Sequence, residues 1–313
     1  MRGTAALASL LLAVSASLPA LTPVDAQSYR QFNRWCFGDA SPDQTIQGCD
    51  AVIRWARETP RDTGTAFYNR GLALAAKGQL DRAIDDYDQA IRLRSDLAGA
   101  YNNRGLAWRL KGDDERALED FDQALRLDPD DVDALYNRGL ALTGLRQYDR
   151  AVAGFNAALR LQPDDFDALA GRAAVWRRKG ESARALQDFD QVLRARPDNV
   201  AALAGRCATR AALGQLLPAL ADCNEALRLR PGDLPALEAR GFVHLRLNRP
   251  DAAIADFDSV LRSAPAAAGA LYGRGVARRR TGNKSGGDAD VAAATALQAD
   301  IVDEFARQGV SGS

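Results

Sequence analysis

The chain is poor in the residues on which catalytic and metal chemistry most often rests. Its 313 residues include one histidine, His244, one methionine and four cysteines. A single histidine excludes a multi-histidine metal site and any triad that needs a second imidazole. Net charge is absent as well. The 41 basic residues balance 41 acidic ones, leaving no excess for a nucleic-acid backbone or an anionic membrane surface. Aromatics make up only 7% of the chain and β-branched runs are scarce, so there is little material for sheets. After residue 26 no apolar run is long enough to read as a membrane span. What is abundant is alanine, leucine and arginine, which favour helix.

Residues 1–26 stand apart. Arg2 precedes the apolar stretch TAALASLLLAVSASLPAL, and Val24 and Ala26 hold the small-residue places of a cleavage site. We read an export signal cut between Ala26 and Gln27, with the mature chain in the periplasm and not inserted in the membrane. A retained anchor is the alternative, but the stretch is short and contains serines and Pro19.

The remainder repeats itself. YNRGLAL stands at Tyr68–Leu74 and again at Tyr136–Leu142, with NNRGLAW at Asn102–Trp108 between them, each step being 34 residues. Units of that length begin at Gly64, Ala98, Val132, Phe166, Val200, Leu234 and Ala268. Position 8 is small (Gly71, Gly105, Gly139, Ala173, Cys207, Gly241, Gly275), position 20 is alanine until Gly287, and position 24 is mostly aromatic (Tyr87, Phe121, Phe155, Phe189, Cys223, Phe257, Val291). Proline closes five consecutive units at position 32, from Pro129 to Pro265. Two antiparallel helices approach closely only where side chains are small, here positions 8 and 20, and the aromatic fills the space beside that contact. A turn such as KGD at Lys111–Asp113 separates the helices, and the proline stops the second one.

This pattern resembles the tetratricopeptide repeat, over about three quarters of the chain. The resemblance implies an all-α fold, a right-handed superhelical solenoid of antiparallel helix pairs. The expected division is a leader at 1–26, a half-repeat cap at 27–63, seven units at 64–97, 98–131, 132–165, 166–199, 200–233, 234–267 and 268–301, and a terminal capping helix end and tail at 302–313. ADIVDEFARQGV at Ala299–Val310 reads as an amphipathic helix covering the last unit.

Most candidates for chemistry fit the scaffold. His244 is at position 11, a packing slot. GNKSGG at Gly282–Gly287 resembles a phosphate loop only faintly: lysine does not follow glycine directly, and the segment falls on a turn between helices. Arginine holds position 7 in every unit and aspartate holds position 23 in all but the third, which has Gly154. We expect the acid of one unit to meet the arginine of the next, Asp120 with Arg138 for instance, leaving Arg172 without an acid. At position 25, Asp88, Asp122, Asp190 and Asp258 stand four residues before Arg92, Arg126, Arg194 and Arg262, an expected set of solvated pairs on the outer face. Exported cysteines form disulfides; three pairings are open, of which Cys36 with Cys49 and Cys207 with Cys223 are favoured, buried thiols being the alternative.

By the same resemblance, positions 2, 5, 9, 12 and 13 line a concave face. Its candidate partner-binding residues are Tyr68, Leu72, Asn102, Leu106, Arg109, Tyr136, Leu140, Arg177, Arg178, Glu238, Phe242, Arg246 and Tyr272. Alanine at positions 5 and 9 of the fourth and fifth units is expected to leave room there for bulky anchors. The lysine and asparagine with which some family members clamp a chaperone's terminal carboxylate are missing from positions 5 and 9 of any one unit. The expected function is a non-catalytic adaptor that holds a protein or peptide segment, with no cofactor, no metal and no nucleic acid. A spacer contacted through its outer face is the second reading. An enzyme is disfavoured because no convergent site is in view.

Overall fold

The computed structural model describes residues 23–55, 58–307 and 310, so residues 1–22 of the leader and 311–313 of the tail lie outside the described residues. The chain divides into two compact units, one ending at Ser95 and one beginning at Asp96. All regular structure among the described residues is helical. In the first unit α1 (Pro23–Phe37) pairs with α2 (Pro42–Trp55), and α3 (Pro60–Ala76) with α4 (Leu80–Leu93). The second contains α5 (Ala98–Leu110), α6 (Asp114–Leu127), α7 (Val132–Gly144), α8 (Tyr148–Leu161), α9 (Phe166–Arg178) and α10 (Ser182–Ala195). It continues with α11 (Val200–Ala212), α12 (Leu216–Leu229), α13 (Leu234–Arg246), α14 (Pro250–Ser263), α15 (Ala268–Arg280), α16 (Lys284–Leu297) and α17 (Ile301–Arg307).

Local chemistry sets these boundaries. Asp131, Asp165, Asn199 and Asp233 cap α7, α9, α11 and α13, their side chains accepting from backbone N–H groups of the first turn. The turn inside each of the seven 34-residue units needs one residue of left-handed backbone. Glycine supplies it at Gly78, Gly112, Gly180, Gly214 and Gly282, while Arg146 (φ 56°) and Asn248 (φ 57°) adopt it in the third and sixth units. Gly282 therefore belongs to such a turn, and Asn283 caps α16 by accepting from the Gly286 N–H at 3.0 Å. The GNKSGG stretch is a helix junction.

The core runs through the pairs as a row. Ala117, Ala151, Ala185, Ala219 and Ala253 are fully buried, and so are Phe121, Phe155 and Phe257. In the second unit the first helices of successive pairs touch one another, α5 with α7, α7 with α9, and so on to α15, whereas no two second helices meet. That asymmetry bends the row with its first helices on the inner side. Two disulfides cross pairs: Cys36–Cys49 joins α1 to α2, with Cα atoms 4.6 Å apart, and Cys207–Cys223 joins α11 to α12 at 5.5 Å.

Candidate protein-interaction face

The arginine–aspartate network differs from its expected form. Arg104 donates from Nε and Nη2 to Asp120 of its own unit at 2.9 and 2.6 Å, and Arg172 does the same to Asp188 at 2.8 and 2.8 Å. Arg70, Arg206, Arg240 and Arg274 repeat the fork on Asp86, Asp222, Asp256 and Asp290. Position 23 thus serves the arginine of its own unit. Asp120 is not the partner of Arg138, and Arg172 is fully paired. Because Gly154 belongs to the third unit, the arginine without an own-unit acid is Arg138.

The link between units comes from position 25. Asp122 accepts from Arg138 at 2.5 Å, Asp190 from Arg206 at 2.7 Å and Asp258 from Arg274 at 2.8 Å, with Asn156 and Asn224 in the same role for Arg172 and Arg240. These acids are drawn to the next unit, and Arg126 and Arg262 donate instead to Gln123 and Ser259. The solvated outer pairs expected of them are not formed. Where two acids flank one guanidinium its charge is held firmly. Bonding to Asp290 raises the Arg274 pKa above its ordinary value; for Arg206, burial pulls the other way and the bonds to Asp222 and Asp190 outweigh it.

His244 breaks the pattern. Its Nε2 stands 3.9 Å from Asp256, and its Nδ1 is buried without a hydrogen bond. Arg210 and Arg278 fill the equivalent place two units apart and donate to Asp222 and Asp290 at 2.7 and 2.8 Å. Burial lowers the imidazole pKa from its ordinary 6.5, opposed by Asp256 and reinforced by Arg240 and Arg249. The unfolded chain therefore takes up the proton first. This contribution to stability is complete above 6.5 and is lost as the pH falls from there toward the lowered folded value. The urea midpoint should drop between about pH 7.5 and about pH 5.5, and His244→Arg, charged in both states, should flatten that part of the slope. An unchanged slope in the variant would remove His244 as its cause.

The candidate face varies along its length. In the first unit Tyr68 is half-buried with its ring 6.1 Å from Tyr87, and Leu72 is 37% exposed beside Phe37. In the second, Leu106, Arg109, Tyr136, Leu140 and Arg177 are half-buried on α5, α7 and α9, and Arg178 is exposed. Asn102 is buried and accepts from Asn137 Nδ2 at 3.2 Å, so it ties α5 to α7. Burial raises the Tyr136 pKa, with Asp167 and Asp165 adding to it, which keeps the phenol a neutral donor. Arg246 donates to the Ala211 carbonyl, as Arg280 does to Leu245 at 2.7 Å, so both cap the preceding first helix. Ala204 is 3% exposed beneath the closely applied α13, so the fifth unit uses its alanine to bring helices together and leaves less room than expected. At the far end Tyr272 is 1% exposed and Phe242 stacks on Phe305 of α17 at 4.3 Å, with Glu238 half-buried nearby.

Family models described as TPR repeat match residues 71–109 and 107–145, and those described as tetratricopeptide repeat match 136–200, 177–233 and 239–304. The chain belongs to the tetratricopeptide repeat family. Among solved structures, this TPR chain is similar to YrrB, a TPR protein described as having an unusual peptide-binding site, at 25% identity over 62% of this chain and 98% of that one, with a TM-score of 0.51. It also resembles a tetratricopeptide repeat protein from Parabacteroides merdae, at 20% identity over 86% and 99% of the two chains, with a TM-score of 0.64. Pseudomonas aeruginosa PilF shares the fold at 17% identity over 68% and 97%, with a TM-score of 0.56. No curated protein sequence matches the chain. Family and fold together make it a protein-interaction scaffold. Among the described residues no helix is long and apolar enough to cross a membrane, and no cluster of acidic, histidine or cysteine side chains could hold a metal.

Proposed function

We propose that this scaffold is a non-catalytic adaptor that holds a protein segment against its first helices, chiefly across α5, α7 and α9. The observation that carries the reading is the half-buried row of Leu106, Tyr136 and Leu140 on the inner side, with Arg109 and Arg177 beside it. A solenoid holds such a face rigid, so little ordering entropy is lost when a ligand docks. Apolar side chains supply contact and the arginines set orientation and on-rate for a segment with apolar anchors and acidic flanks. YrrB, a family member with a peptide-binding site, is in keeping with this use. On this reading residues 27–63 are a cap, 64–301 the seven-unit body and 302–313 the terminal helix end and tail.

A photo-reactive residue placed at 140 should cross-link the partner, and adding Leu106→Asp with Arg109→Glu should abolish that capture while helical content is unchanged. Cross-linking from Arg194 on the outer side, and none from 140, would favour the spacer reading instead.

Export to the periplasm belongs to the same proposal. It is supported by the leader-like residues 1–26 and by two disulfides, which persist in oxidising compartments. Mass spectrometry of protein from the soluble envelope fraction should find Gln27 as the first residue and all four thiols bonded. Intact Met1 together with free thiols would overturn it.

A further inference from the structure

One end of the inner face is occupied by the chain itself. First helices begin at Val132, Phe166, Val200, Leu234 and Ala268, so the next in step would begin at residue 302; α17 begins at Ile301. Phe305 is the fifth residue of this helix, as Tyr136 and Tyr272 are the fifth residues of α7 and α15. A residue at that place faces the inner side of the row. Phe305 lies there with its ring stacked on Phe242 (4.3 Å, 18°) and on Tyr272 (5.4 Å, 17°), and it is 7% exposed. The Tyr272 hydroxyl donates to the Val310 carbonyl at 3.5 Å, and Val310 is itself buried. A Cβ at Gly269 would collide with the Glu238 carboxylate and would only touch the Phe305 ring, at 3.4 Å.

We propose that α17 together with Val310 is an intramolecular ligand of the inner face, and that the seat between Phe242 and Tyr272 receives a short segment of another protein anchored by an aromatic side chain. The proposal rests on the inner face being the binding face. The flat aromatic wall of Phe242 and Tyr272 selects an aromatic ring over an aliphatic one, because offset stacking adds to the burial of its surface. The occupant is held through three buried side chains, Ile301, Phe305 and Val310. A helix of seven residues does not hold itself without its contacts, and α17 has Val302 39% exposed and follows an exposed turn at Ala299 and Asp300. Tethering keeps it in place by effective concentration, on the order of millimolar for a short link, so an incoming segment must exceed that competition. The tail thereby sets a threshold that weak, non-cognate segments do not pass.

The test uses the full chain and a fluorescein-labelled synthetic peptide of residues 299–313, with binding read by anisotropy. Phe305→Ala should bind the peptide at least ~10-fold more tightly than the natural chain, because the tethered competitor has lost its anchor. Phe305→Leu, which keeps an apolar side chain without a ring, should lie between them, and this variant serves if the alanine form does not fold. Adding Phe242→Ala to Phe305→Ala should remove the gain. Equal affinity of the natural chain and Phe305→Ala, or no binding by a folded Phe305→Ala, would overturn the proposal, as would a gain that survives loss of Phe242. Cross-linking from residue 140 is untouched by these changes, so failure here and failure of the adaptor reading show in different experiments.

Discussion

Asp222→Ala should destabilise the second unit by about 3–5 kcal/mol, the cost of breaking a buried ion pair from one side. Asp222 is 5% exposed and accepts from Arg206 at 2.9 and 2.7 Å and from Arg210 at 2.7 Å. Its removal leaves two guanidinium groups that are 18% and 23% exposed without the carboxylate that offsets their desolvation. Asp190 still reaches Arg206, so the loss is not total, but nothing in the network replaces the bond to Arg210. The natural comparison is Arg138, which manages with Asp122 alone at a side-chain exposure of 34% for the acid. Asp122→Ala should accordingly cost less, about 1–3 kcal/mol. Urea unfolding followed by circular dichroism reads both. A cost for Asp222→Ala below about 1 kcal/mol, or no greater than that for Asp122→Ala, would show that these pairs contribute specificity and not stability.

That network also shows what the sequence made legible and what it did not. The repeat period, the small residues at positions 8 and 20 and the aromatic at 24 stand in plain view, because packing of a helix pair constrains residue type at fixed spacing. That arginine at position 7 and aspartate at position 23 would pair was legible, but not in which unit, and position 25 has a partner other than the expected one. A helix turns about 100° per residue, so positions 23 and 25 point about 200° apart. One faces the first helix of its own pair and the other the first helix of the next, and spacing alone does not say which. A second matched set went unread. Glycine holds position 6 at Gly171, Gly205 and Gly273, each following a unit with phenylalanine at 24, whereas Ala239 follows the unit with Cys223; Phe121 is the exception, with Asn137 after it. That the terminal helix covers the last unit was legible in its amphipathic pattern, but not that Phe305 would settle on Phe242.

The matched set predicts a large loss when one of these buried rings is truncated, Phe155 for instance. Phe155 is fully buried between two pairs, where the Cβ of a residue at Gly139 would stand 2.8 Å from its ring and one at Gly171 2.9 Å. Its walls on both sides are therefore backbone, which relaxes into a void far less readily than side chains do. Phe155→Ala should cost about 3–5 kcal/mol, toward the upper end for that reason. Tyr136 packs on the same ring at 5.9 Å, so the void also removes the floor under a residue of the proposed binding face, and capture of the partner at residue 140 should weaken in protein that is still folded. Adding Gly171→Ala to the variant puts a methyl group where the ring was and should recover part of the stability. The junction of the fifth and sixth units already carries a counterpart of that double change: Cys223 of the fifth stands in place of the ring, bonded to Cys207, and Ala239 of the sixth stands in place of the glycine. A Phe155→Ala cost under about 2 kcal/mol, with no recovery from Gly171→Ala, would mean that the ring and the glycines are not a matched pair.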